Sequence, residues 1–170
     1  MCRKFSGGGT NSTQNLRYVG ESDLFRNISY PDDVDILFIG DSLTERADYN
    51  SLFHEYKVVN QGIGSDTSEG LYGRLDCVFR TSPDSIFIQI GVNDISTGVP
   101  ASESIANLEK IITDLRDELP DTRIFVESLY PVTKDYQKVV PNQEIRELNS
   151  EIKKLCEEKG IGPMSRFSTN

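Results

Sequence analysis

The sequence predicts an α/β domain, a three-layer, doubly wound parallel sheet of flavodoxin-like layout with helices on both faces. Two observations lead there. Short apolar runs, two of them closed by glycine, alternate with segments of helical periodicity. The chain, at 170 residues, suits one domain with a real core.

The elements follow in order. Asp35-Ile36-Leu37-Phe38-Ile39 is a continuous apolar run ending at Gly40, the pattern of a strand buried on both faces. A helix follows and ends near Phe53. Tyr56-Lys57-Val58-Val59 reads as the second strand. Asp66, with Glu69 three residues on, looks like a capping start for a helix whose apolar face is Leu71, Leu75 and Val78. Ile86-Phe87-Ile88-Gln89-Ile90 is the third strand, again closed by glycine. Ile105, Leu108, Ile112, Leu115 and Leu119 step by four and three, and Pro120 stops that helix. Ile124-Phe125-Val126 is the fourth strand. Pro141-Asn142 opens a last helix with Ile145, Leu148, Ile152 and Leu155 on one face and Gly160 at its end. Four strands are therefore expected, with a fifth missing or altered.

Domain boundaries follow from composition. Residues 1–16 read as a disordered leader rich in Gly, Ser, Thr and Asn, 17–161 as the folded domain, and 162–170 as an irregular tail. Eighteen Lys and Arg stand against 27 Asp and Glu, a net charge of -9, which argues against nucleic acid or an anionic membrane as partner. No apolar run approaches a membrane span, and the first residues lack a signal-peptide core, so the sequons at Asn11 and Asn27 carry little weight. Cys2, Cys77 and Cys156 are dispersed and odd in number, which disfavours a disulfide framework or a zinc site and suits a reducing, cytoplasmic setting. No metal or cofactor is expected.

Ligands of doubly wound sheets bind beyond the carboxyl ends of the strands. That rule gathers Gly40-Asp41-Ser42, the segment Asn60 to Asp66, and Gly91-Val92-Asn93-Asp94. Taken singly, each is as well read as a turn, a flexible connection or a helix cap. Gln89, Thr97 and Tyr130 are further residues expected near such a site.

Together, in this order and spacing, the segments match a known family. Phe38-Ile39-Gly40-Asp41-Ser42-Leu43-Thr44, Val59-Asn60-Gln61-Gly62-Ile63-Gly64-Ser65-Asp66-Thr67 and Ile88-Gln89-Ile90-Gly91-Val92-Asn93-Asp94 resemble the blocks of the SGNH (GDSL-type) hydrolases. The nearest subgroup is that of platelet-activating-factor acetylhydrolase-like and small bacterial acylesterases. The resemblance spans roughly Tyr30 to Ile161. It implies Ser42 as nucleophile toward a small acyl ester. It also implies oxyanion donors from the Ser42 backbone, from the Asn93 side chain and from a backbone N–H of the second block. The family's glycine there aligns with Ser65, so a Cβ stands where a positive φ wants none. Gly40, Asp41, Gly64, Gly91 and Asp94 are the supporting positions.

The resemblance also implies a base from a D-x-x-H block after one more strand, and no such block follows Ile161. The only histidine, His54, precedes the second strand and is expected at its amino end, away from the strand-end loops. No catalytic His or Asp is therefore assigned. The polar tail suggests a frameshifted or truncated form of a longer esterase, with an exposed sheet edge and self-association as consequences. A non-catalytic binding relative of the esterases is the alternative. An unrelated nucleotide binder is disfavoured by the absence of glycine-rich phosphate loops.

Overall fold

The computed structural model describes residues 23–31, 33–161 and 163–164. The expected leader 1–16 and most of the expected tail lie outside them. A helical turn at 23–27 precedes the sheet. The strands are β1 (Ile36–Gly40), β2 (Val58–Gly62), β3 (Ser85–Gln89), β4 (Arg123–Glu127) and β5 (Pro163–Met164). They pair in the order β2-β1-β3-β4-β5, and every pairing is parallel. A fifth strand is thus present, described over Pro163–Met164, inside what the sequence reads as irregular tail.

The period of two explains the layering. Leu37, Ile39, Ile86, Ile88, Ile124 and Val126 point to one face and join the main core. That core is shared with α6 (Ala101–Glu118), α7 (Asn142–Lys159) and the apolar face Leu71, Leu75 and Val78. The alternate residues Phe38, Phe87 and Phe125 sit in register on β1, β3 and β4. Their rings stack across the sheet, 5.1 and 4.8 Å apart. Tyr49 lies flat on Phe38 at 3.6 Å, which seats α1 (Ser42–Arg46) and α2 (Tyr49–Leu52) on this second face.

Two helical expectations are corrected. The helix expected after β1 is two short pieces, α1 and α2. The helix expected from Asp66 is also two, α3 (Ser68–Gly73) and α4 (Leu75–Val78), separated at Arg74. Its N-cap is Thr67, whose side chain accepts from Gly70 N, and not Asp66. Asp66 is drawn inward by a charge partner described below. α5 (Val92–Thr97) and a 3-10 turn at Tyr136–Lys138 are the remaining helical pieces between β1 and β5 among the described residues.

Candidate active site

The strand order puts the carboxyl ends of β2, β1 and β3 side by side, so the three singled-out segments converge by topology alone. At the end of β1, Gly40 has no room for a side chain: a Cβ there would lie 2.3 Å from Gln89 O and 2.4 Å from Thr44 Oγ1. Asp41 caps α1, accepting from Leu43 N at 2.9 Å. Ser42 is the first residue of α1 and is half-buried. At the end of β2, Gly62 is equally confined, since a Cβ would meet Glu45 N at 2.2 Å. Gly64 is half-buried and Ser65 exposed. Ser65 is the non-glycine residue with positive φ among those described, at 66°, as the family's glycine in that place implies. At the end of β3, Gly91 adopts φ 128°, closed to other residues, and opens α5, which carries Asn93 and Asp94.

Hydrogen bonds lash these loops together. Asn93 Nδ2 donates to Asp66 O at 2.8 Å. Asp94, 1% exposed, accepts from Ser68 N at 3.0 Å, from Ser104 Oγ at 3.0 Å and from the Ser68 hydroxyl. Asn107 donates to Ser68 Oγ in turn. Arg74 and Asp66, 1% and 0% exposed in their side chains, form a buried ion pair. Arg74 Nε donates to Asp66 Oδ2 at 2.8 Å, and its Nη2 donates to Gly40 O at 3.2 Å.

A cleft of about 450 Å³ is lined by Asp41 and Leu43, the chain neighbours of Ser42, but not by Ser42, Ser65 or Asn93 themselves. Gln89, Val92, Leu129, Pro131 and Val132 also line it, with Tyr130, Thr133 and Tyr136. Two asparagines of α7 hold the outer wall. Asn149 bonds Leu129 N and O at 2.7 and 3.0 Å, and Asn142 bonds Val132 N and O at 2.8 and 3.0 Å. Asp41 Oδ2 and Gln89 Nε2 are buried without a hydrogen-bond partner. Burial, above all, pushes the Asp41 carboxyl up to about 6. The Leu43 N–H opposes that shift, and the Asp66 and Asp94 charges add to it.

Of the three residues expected near the site, Gln89 and Tyr130 line the cleft. Thr97 is exposed and bonds back to Asn93 O at 2.8 Å. His54 is exposed just before β2, at the amino end of the sheet. Sequence reading missed Arg74 and the polar trio Ser68, Ser104 and Asn107. A signal existed: Arg74 falls on the Leu71–Leu75–Val78 face, and Ser104 and Asn107 on that of α6, where a polar residue needs a buried partner. Among the described residues no group of three or more His, Cys, Asp or Glu could hold a metal ion, and no helix is long and apolar enough to cross a membrane.

Known proteins were compared with this arrangement. Residues 38–163 match the family described as GDSL-like lipase/acylhydrolase. A Streptococcus pneumonia structure described as a platelet activating factor superposes with a TM-score of 0.79 at 31% identity, over 91% of this chain and 75% of that one. A GDSL-like lipase from Bacteroides thetaiotaomicron has a TM-score of 0.72 at 17% identity, over 87% and 77%. An acetylxylan esterase from Geobacillus stearothermophilus has 0.63 at 21%, over 80% and 77%. The last two show the fold alone. No curated protein sequence matches this one.

Proposed function

Because the chain belongs to the GDSL-like lipase/acylhydrolase family, we propose that it hydrolyses small carboxylic esters, acetyl esters first among them, through Ser42. The observation that carries the reading is the convergence of Ser42, Ser65 and Asn93 at three neighbouring strand ends, joined through the Asn93–Asp66 bond. Ser42 Oγ adds to the ester carbonyl, the alcohol leaves, and water hydrolyses the acyl-enzyme. The oxyanion takes hydrogen bonds from the Ser42 and Ser65 backbone N–H groups and from Asn93. The Asn93 amide has two donors and spends one on Asp66 O, which leaves the other for substrate.

The proton of Ser42 is the weak point. Among these 170 residues the single histidine stands at the far end of β2, so with these residues alone the proton passes to solvent and turnover is slow. Serine hydrolases that lack a triad member keep roughly 10³–10⁴-fold over water. The same position of His54 favours a second reading, a ligand-binding relative that does not turn over. The proposal includes a reducing, cytoplasmic setting, which the odd number and wide spacing of Cys2, Cys77 and Cys156 support. Hydrolysis of p-nitrophenyl acetate by the parent and by Ser42→Ala separates the readings. Turnover lost in the variant supports the esterase. Background rates in both leave the binding relative.

A further inference from the structure

The left-handed backbone at Ser65 is unfavourable for any L-residue and persists only where its surroundings over-determine it. The next residue, Asp66, is held from three sides. Its carboxylate accepts from Arg74 Nε at 2.8 Å and from Thr67 N at 3.0 Å. Its carbonyl accepts from Asn93 Nδ2 at 2.8 Å. Its N–H donates to Ile63 O at 3.2 Å. Arg74 also reaches Gly40 O at 3.2 Å, an oxygen already taking Ile63 N at 3.0 Å. One buried guanidinium therefore joins the residue two before the nucleophile to the residue one after the strained serine. Through Asp66 it also bears on the amide of Asn93.

We propose that Arg74 is a positioning residue, whose fork between Gly40 O and Asp66 holds Ser65 left-handed and sets the mutual placement of the three oxyanion donors. The proposal rests on the esterase reading and deepens it. A guanidinium suits the task because its planar fork serves two acceptors at fixed angles, where an ammonium is a single point charge. Burial makes the tie rigid, since the pair at 0% and 1% exposure has no water to exchange with. Nothing in this role touches substrate. Its loss should therefore appear in the chemical step and not in binding.

The experiment compares Arg74→Met, Arg74→Lys and Arg74→Met with Ser65→Gly, each on the full chain. Turnover of p-nitrophenyl acetate is measured, together with the amide ¹⁵N–¹H spectrum. In Arg74→Met kcat should fall about 100-fold, the size of a lost oxyanion donor, with KM within about twofold. Arg74→Lys should fall about tenfold. Adding Ser65→Gly to Arg74→Met should restore about tenfold of kcat, because glycine takes a positive φ without a clamp. The Ser65 backbone amide and the Asn93 side-chain amide should shift in Arg74→Met, and the Asn93 amide should lose its exchange protection. The proposal is overturned if kcat survives in Arg74→Met, or if the glycine restores nothing while Arg74→Lys, still folded, behaves like Arg74→Met. The spectra decide without turnover: unchanged Ser65 and Asn93 signals in either Arg74 variant also overturn it. Failure of the esterase reading is a different result, a parent rate no higher than that of Ser42→Ala.

Discussion

Replacing Asp41 by asparagine should make the protein less sensitive to pH. The folded state raises the carboxyl from its ordinary 3.8 to about 6. Between those values the native protein keeps a proton that the unfolded chain has released. Stability therefore falls as pH rises through this window, and the full benefit of the protonated form is present only below about pH 4. The difference between 3.8 and about 6 is worth roughly 3 kcal/mol by pH 8. Asparagine keeps the oxygen that accepts from Leu43 N, caps a helix as well as aspartate does, and cannot ionise. Whatever constant cost or gain the amide brings, the stability gap between Asp41→Asn and parent should move by roughly 2–3 kcal/mol in the variant's favour from pH 4 to pH 8. Urea denaturation followed by circular dichroism at both pH values measures that gap, and effects of all other groups cancel. A gap constant within about 0.5 kcal/mol would mean that Oδ2 has a partner when ionised, and the reasoning from burial would fail.

Three further outcomes are expected. Ser65→Gly should stabilise by about 0.5–1 kcal/mol, the relief of a left-handed L-residue less the added chain entropy of glycine, read as a raised denaturation midpoint. Asn93→Ala should lower kcat for p-nitrophenyl acetate about 10²–10³-fold with little change in KM. Asp94→Ala should cost roughly 3 kcal/mol or more in urea denaturation, because the Ser68 N–H and the Ser68 and Ser104 hydroxyls lose a buried acceptor. Asp94→Asn, which keeps one carboxamide oxygen, should cost less.

Three of the four expected strands and the two long helices were legible because their signals are local; β2 runs Val58–Gly62, not Tyr56 to Val59, because the polar Asn60 and Gln61 hide a pairing with β1. Runs such as Ile86 to Ile90 need only their own residues to be read, and Ile105 to Leu119 shows its period without help. The three site segments were legible as a group, since the α/β alternation alone brings strand ends together. What escaped was non-local. Asp66 followed by Glu69 has the form of a capping box, and only the pull of Arg74, eight residues on, removes Asp66 from that role. The break at Arg74 follows Gly73, but the apolar spacing of Leu71, Leu75 and Val78 runs straight across it and reads as one helix. The cleft's outer wall, Leu129 to Tyr136, lacks periodicity, and its shape comes from asparagines on a helix further along the chain.

That wall has a consequence for how new specificities could arise on this scaffold. Asn142 and Asn149 grip backbone atoms of Val132 and Leu129, not side chains. The segment's trace is thus indifferent to which side chains hang from it. Thr133 and Tyr136 can be exchanged like tiles on a fixed frame, whereas Tyr130, whose hydroxyl donates to the buried Glu127 at 3.3 Å, and the opposite wall, threaded by Asp41 and its neighbours, admit little revision. Libraries aimed at new esters belong on the α7-braced side, where diversity need not be purchased with misfolding.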